Sequence, residues 1–214
     1  MENKKILRVY DSGAKRYEEV MKEYWHIPRE PFIASLGFKR GERILESAVG
    51  TGLNLPYYPI GTHILGIDIS KRMLGEARKK QVLANIELEE GDIHSLRFPD
   101  SYFDSAVSTF TLCVVENPKK ALQEIIRVTK SGSKITLLDY CKSRNPSVTK
   151  WQELIHYHAS NIGFPKDVIV WDSLMDYDKL IYHSNLPIEV ESDERIESEN
   201  PFSTGCKIIL RNRK

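Results

Sequence analysis

The sequence predicts an α/β protein built on one doubly wound, seven-stranded sheet, mostly parallel, with antiparallel strands at the C-terminal end and helices at the N-terminus. Three observations carry this reading. Short apolar runs alternate with helical segments between residues 43 and 139. A glycine turn, Gly50 and Gly52, follows the first run. An acidic residue closes or follows each of the first three runs, at Glu46, Asp68 and Asp92.

The elements follow in order. The first 35 residues read as helical, with Tyr10, Tyr17, Met21 and Tyr24 on one face, and Pro28 and Pro31 break that pattern. Residues 43–48 read as a short buried strand running into the glycine turn, and residues 63–68 as a second strand ending in a carboxylate. Ser70 is placed to cap a helix through about Lys80. Residues 85–89 form the third strand, and residues 105–110 the fourth, entered from the turn Pro99-Asp100-Ser101. A helix over 118–129 stops before Ser131-Gly132, and residues 134–139 form the fifth strand. A polar stretch, 142–149, then leads into a helix over 150–161 and a second over 173–184. The last two strands, 187–191 and 205–210, are joined without a long helix and are expected antiparallel to each other. No repeat or domain linker interrupts the chain, so a single domain is expected over 1–214.

Composition narrows the partners. Lys and Arg number 31 against 30 Asp and Glu, for a net charge of +1. A chain that grips nucleic acid by its phosphates normally carries a basic excess, so a nucleic-acid substrate is not favoured. Cys113, Cys141 and Cys206 have neither an even count nor CxxC spacing, which argues against a disulfide framework or a zinc site, and no metal is expected. No apolar run approaches the roughly 20 residues that span a bilayer. The N-terminal Met1-Glu2-Asn3-Lys4-Lys5 leads into no signal-peptide core. The expectation is a soluble cytoplasmic protein with peripheral membrane contact left open, and no signal for an oligomeric state.

The loop after the first strand carries the functional argument. Gly50 and Gly52 let backbone approach a ligand closely, and ligands of doubly wound sheets settle at the carboxyl ends of strands where strand order reverses. A dinucleotide site wants GxGxxG, but this chain offers Ala48-x-Gly50-x-x-Leu53. The carboxylate of Glu46 would repel a pyrophosphate and attract an ammonium instead. Asp68, at the end of the second strand, can accept both hydroxyls of a ribose; it can also be only a helix cap. Asp92 can accept the exocyclic amine of adenine with Ile93 packed on the ring; it can also be a turn aspartate beside Gly91. Three carboxylates along one sheet edge gain nothing for packing, and their order points to an adenosine ligand with a cationic end.

At this point the chain resembles a known family. Ile44-Leu45-Glu46 with Gly50-Thr51-Gly52-Leu53-Asn54-Leu55-Pro56, Gly66-Ile67-Asp68-Ile69-Ser70 with Met73-Leu74, and Gly91-Asp92 resemble the cofactor motifs of the Rossmann-like class I methyltransferases, which use S-adenosylmethionine (SAM). The match continues through Leu96-Arg97-Phe98-Pro99-Asp100 to Lys130-Ser131-Gly132 and covers roughly residues 40–142. Ser108-Thr109-Phe110-Thr111-Leu112-Cys113-Val114-Val115 and Tyr10-Asp11 with Tyr17-Glu18 are most similar to the ubiquinone/menaquinone and phospholipid N-methyltransferase branch. The resemblance implies cofactor contacts at Glu46, Ala48, Gly50, Gly52, Asn54 and Leu55, then at Asp68, Ile69, Met73, Asp92, Ile93 and Thr109. It implies a helical lid over 1–38 whose Tyr17, or less closely Tyr10, closes over SAM, a SAM-binding core over 39–142, and an acceptor side over 143–214. Two positions depart from the family pattern. Ser131 and Ser133 change a Lys-Pro-Gly-Gly turn, and Ala48 stands where the first loop glycine belongs. Alanine fits there if its φ stays negative, though its methyl adds bulk beside the ligand.

The implied activity is transfer of a methyl group from SAM to a small or lipid-like acceptor. The alternatives are a SAM enzyme of other chemistry, or a SAM-binding regulatory protein with a relic site. Methyl transfer needs a base only when the acceptor must lose a proton, so catalytic residues leave a faint trace. Tyr140, after the fifth strand, and His156 are the candidates, with His158 on a different face of the same helix. Trp151, Tyr157, Phe164 and Trp171 are expected in the core or around an apolar acceptor pocket.

Overall fold

Strand β1 (Arg43–Ser47) sets the frame of the computed structural model, which describes residues 3–24, 28–158, 174–196 and 204–214. Ile44 and Leu45 are both fully buried, on opposite faces, as a strand covered on both sides requires. Ile44 packs in one core with Leu74, Val107 and Leu138; Leu45 packs in the other with Ile125, Ile135 and Ile208. β1 pairs in parallel with β2 (His63–Asp68) on one side and with β4 (Phe103–Thr109) on the other. β3 (Asn85–Glu90) adds outside β2, and β5 (Thr129–Tyr140) outside β4. β7 (Gly205–Asn212) runs antiparallel between β5 and β6 (Ile188–Ile196). The order is β3-β2-β1-β4-β5-β7-β6, so the expected seven-stranded, mostly parallel sheet is present. The chain winds outward from β1 to β3 and returns beside β1 as β4. That reversal opens a crevice at the carboxyl ends of β1 and β4.

The N-terminus forms three helices rather than one face broken by prolines: α1 (Asn3–Gly13), α2 (Tyr17–Tyr24) and α3 (Arg29–Ser35). The first break comes after Gly13. Pro31 sits in the first turn of α3, where its missing N–H costs nothing. Ser70 caps α4 (Lys71–Ala77) as expected, its hydroxyl accepting from the Met73 N–H at 3.1 Å, but the helix ends before Lys80. α5 (Pro118–Val128) is capped by Asn117 and buries Ala121, Leu122, Ile125 and Ile126.

The strands are generally longer than their apolar runs. β4 starts at Phe103, and Phe110 leaves it at φ 53°. β5 starts at Thr129, which already pairs with Phe103, and absorbs Gly132 at φ 76° as a kink. β6 extends to Ile196 across a register shift between Val190 and Ser192. α6 (Pro146–His158) begins inside the polar stretch because the Asn145 side chain accepts from the Ser147 N–H. Its expected end at Asn161 lies outside the described residues. α7 (Tyr177–Tyr182) is shorter than expected and capped by Asp176, while Ser173 lies outside the described residues. No helix among the described residues is long and apolar enough to cross a membrane.

Candidate cofactor site

The loop after β1 is built from left-handed backbone. Ala48 has φ 51°, Gly50 φ 58° and Gly52 φ 77°. The sequence reading required a negative φ at Ala48, and the structure corrects it: an L-residue here carries about 1–2 kcal/mol of strain. The two glycines serve different ends. A Cβ on Gly50 would meet nothing within 4 Å, so that backbone faces open space. A Cβ on Gly52 would lie 2.6 Å from Leu55 Cδ1 and 3.1 Å from Ala77 Cβ. Gly52 is therefore demanded by packing beneath the loop, and Leu55 is buried in the core there.

The crevice is a cleft of about 660 Å³, part of it open solvent. Its wall follows chain order: Ala48 and Gly50 after β1, then Asp68 at the end of β2 with Ile69 and Met73 beyond it, then Asp92, Ile93 and His94 after β3, then Thr109 at the end of β4 and Phe110 after it. Ile6 and Tyr10 from α1 and Tyr17 from α2 close the remaining side. The two tyrosine rings meet edge to face with centroids 6.1 Å apart. Most of the expected cofactor residues thus share one cleft. Gly52 and Leu55 do not reach its wall, and Glu46 and Asn54 line a smaller hollow of about 280 Å³ behind the loop, part of it open solvent. That cavity shares Tyr17, Ala48, Gly50, Thr109 and Phe110 with the main cleft.

Asp68 organises the edge. Its Oδ2 accepts from the Gly50 N–H and its Oδ1 from the Ser70 N–H, each at 2.8 Å. Burial pushes its carboxyl up to about 6, against the pull of those two N–H groups. The Ser70 hydroxyl donates to Asp11 of α1, and Lys80 pairs with Glu18 of α2 at 2.6 Å. Those two contacts fasten the N-terminal helices to the sheet side.

A polar corner forms around Glu46. Asn54 Nδ2 donates to Glu46 Oε1 at 2.7 Å and to Thr109 Oγ1 at 3.1 Å. Arg29 Nη1 donates to Asn54 Oδ1 at 3.1 Å, and its guanidinium lies over the Phe110 ring, 4.8 Å from the centroid. Burial pushes the Glu46 carboxyl up to about 7, while Tyr58, Asn54 and Arg29 pull it down. Glu46 Oε2 is buried without a hydrogen-bond partner. The Tyr58 hydroxyl lies near enough to favour the carboxylate but outside full hydrogen-bond geometry. Burial also lowers the pKa of Arg29, with Tyr17 and Glu46 opposing that. An unsatisfied buried carboxylate oxygen beside a half-buried guanidinium suits a ligand group that carries both charges.

At the third station, Asp92 Oδ1 accepts from the His94 N–H at 2.9 Å and pairs with His94 Nδ1 at 2.7 Å. On the acceptor side, Tyr140 is nearly buried with its ring 5.1 Å from that of Phe110. Asp139 accepts from the N–H groups of Tyr140 and Cys113 and from the Tyr177 hydroxyl. Burial raises the Tyr140 hydroxyl far above the usual phenol range, so it stands as a neutral phenol. The His156 side chain, Phe164 and Trp171 lie outside the described residues. Trp151 and Tyr157, expected in core or pocket, are on the outer face of α6, 61% and 80% exposed. His158 is exposed beside Tyr157.

Sequence reasoning missed Arg29, His94 and Phe110. Arg29 lies between Pro28 and Pro31 at the start of a helix whose Phe32 and Ile33 are buried. A cation fixed beside buried residues was the available signal. His94 stands two residues past Asp92, within reach of a local side-chain turn. Phe110 offered no signal, because nothing in its neighbours foretells a left-handed aromatic.

Comparison with known proteins adds an independent line. A methyltransferase domain family model matches residues 45–137. A phosphatidylethanolamine N-methyltransferase of Cereibacter sphaeroides is 31% identical over 174 residues, 78% of this chain and 76% of that protein. A ubiquinone/menaquinone biosynthesis C-methyltransferase of Francisella philomiragia is 31% identical over 183 residues, 79% of this chain and 72% of that protein. Among solved structures, a SAM-dependent methyltransferase of Thermotoga maritima superposes with a TM-score of 0.67 at 19% identity, covering 98% of this chain and all of that one.

Proposed function

The chain belongs to the class I SAM-dependent methyltransferase family, and on that premise we propose that it methylates a lipid-like acceptor in the cleft between the N-terminal helices and the strand ends. The observation that supports the site assignment is the run of stations in chain order along one sheet edge, with a buried Glu46 oxygen that lacks a hydrogen-bond partner in the adjoining cavity. The whole chain then works as one domain: residues 1–38 as lid, 39–142 as cofactor core and 143–214 as the acceptor side. We place it in the cytoplasm, with peripheral contact to membranes that hold such acceptors.

SAM, when bound, supplies a methyl group already activated as a sulfonium, which leaves alignment and water exclusion to the protein. Glu46 receives the ammonium of its amino-acid end, and Arg29 with Asn54 receives the carboxylate. Asp68 accepts the ribose hydroxyls, with Ile69 and Met73 alongside. Asp92 accepts the adenine amine and Ile93 covers the ring. Thr109 steadies Asn54, the backbone at Ala48 and Gly50 gives the ligand room, and Tyr10 and Tyr17 shut out water. An acceptor with an apolar body is supported by the wall of Tyr17, Phe110, Val114 and Val115, and by the relatives' named roles with phosphatidylethanolamine and in ubiquinone/menaquinone biosynthesis.

Calorimetry with SAM and S-adenosylhomocysteine tests the site, and mass spectrometry of reactions with phosphatidylethanolamine or a demethylated quinol tests the acceptor. Asp68→Ala is expected to weaken both cofactor affinities about a hundredfold, since it removes a charged acceptor of two hydrogen bonds. Unchanged affinity in that variant would overturn the ribose assignment.

A further inference from the structure

Resting on the assignment of Asp92 to the adenine amine, we propose that His94 is a positioning residue that fixes the Asp92 carboxylate and so makes the cleft select adenine over other purines. The geometry of three groups carries this. The Asn117 backbone N–H approaches His94 Nε2 at 3.4 Å, and an N–H can only donate. Nε2 therefore accepts and carries no proton. The ring proton sits on Nδ1, which donates to Asp92 Oδ1 at 2.7 Å. The imidazole is thus a neutral strut between the cap of α5 and the carboxylate, and its side chain is only 9% exposed.

The backbone N–H of His94 also donates to Oδ1, at 2.9 Å. That bond is an ordinary side-chain turn within the loop. A second donor on the same oxygen, anchored from another element, holds its plane. The Asp92 side chain remains 36% exposed and borders the cleft. A carboxylate held in place can accept from an amine and repels a carbonyl oxygen offered at the same position. Adenine and hypoxanthine differ at that atom, an amine in one and a carbonyl in the other. The discriminating ligand pair is therefore S-adenosylhomocysteine and S-inosylhomocysteine, and the readout is binding.

Calorimetry on five proteins tests it: wild type, His94→Phe, His94→Gln, His94→Asn and Asp92→Asn, each checked by thermal melting. Wild type is expected to prefer the adenosyl ligand. His94→Phe is expected to lose about tenfold in adenosyl affinity and little in inosyl affinity, collapsing the preference. His94→Gln keeps an amide near the Nε2 position but none near Nδ1, so it should match His94→Phe even if the latter folds poorly. His94→Asn restores a donor near Nδ1 and should recover most of the preference. Equal losses for both ligands in the Phe and Gln variants, or no loss at all, would overturn the proposal while a collapse in Asp92→Asn left the adenine assignment standing. An undiminished preference in Asp92→Asn would sink both.

Discussion

Asp68 and Asp92 stand at or just beyond the ends of the strands that place them, and neighbouring N–H groups from Ser70 and His94 hold them. Tyr17 reaches the same cleft, and Arg29 the smaller cavity behind the glycine loop, from helices that precede the sheet. Their positions rest on contacts across long stretches of chain: Arg29 to Asn54, Ser70 to Asp11, Lys80 to Glu18. The strand-end edge is thus preorganised by local geometry. The helical corner is held by a handful of polar bonds, and surface pairs such as Lys80–Glu18 each contribute little. Under the proposed function the difference separates two tasks, with recognition of the nucleoside on the rigid edge and closure over the reacting end on the weakly fastened corner.

Arg29→Met breaks that comparison most severely. It removes the cation that the corner offers while keeping the length of the side chain over Phe110. Affinity for S-adenosylhomocysteine is expected to fall about thirtyfold, the worth of one charge-assisted contact of about 2 kcal/mol. Thermal stability should move by less than about 1 kcal/mol, because a half-buried guanidinium replaced by an apolar chain of similar reach is close to neutral. If calorimetry finds the affinity intact, the strand-end edge holds the cofactor alone and the corner only covers it.

The same contrast explains what the sequence could reveal. Glu46, Asp68 and Asp92 were legible because a strand end fixes the position of the residue beside it, so spacing in the chain becomes spacing along the edge. β1, β2, β4 and the second half of β5 were legible for a related reason, since strands buried on both faces read as apolar runs. Arg29 was not, because its function depends on how three short helices fold back on the loop after β1. β5 was expected five residues late, at 134 rather than Thr129, because its first half is exposed and polar on one face and shows no apolar run. The shared cleft of Phe110 and Ala48 was also hidden, since a positive φ at a residue with a Cβ has no compositional mark.

Glu46→Gln sharpens the boundary between the two regions through pH. The folded carboxyls of Glu46 and Asp68 lie above their unfolded values, at about 7 from 4.5 and about 6 from 3.8. The stability this contributes is complete below the unfolded values and is lost as pH rises through the folded ones. The ligand-free protein should therefore weaken between about pH 4 and pH 7. In Glu46→Gln that loss should shrink by about 2 kcal/mol between pH 5.5 and 8, measured by urea unfolding. Binding shows the opposite sign, because an ammonium needs the ionised form. Wild-type affinity for S-adenosylhomocysteine should rise about twentyfold from pH 6 to pH 8, about tenfold through Glu46 and about twofold through Asp68, and Glu46→Gln should keep no more than the twofold part. A tenfold rise that survives in the variant would move the ammonium site away from Glu46.

The smallest effect is expected at the join of the two regions. Ala48 opens the loop after β1 and Phe110 directly follows β4, both are left-handed, and both border the two cavities. Strain gathered at such a place is either tolerated for the sake of the site or is itself part of it. Ala48→Gly separates these. Relief of the left-handed alanine, less the extra freedom glycine gains on unfolding, should stabilise the protein by about 0.5–1 kcal/mol, or about 2 °C in melting temperature. If the methyl only adds bulk, affinity for S-adenosylhomocysteine should change by less than about threefold, because the backbone at 48–50 already stands in the conformation a bound ligand needs. A gain of a hundredfold would mean that the methyl holds the ligand off its seat. The strained alanine would then be a device for moving the sulfonium relative to the acceptor, and ordinary in-line methyl transfer would no longer follow from this cleft.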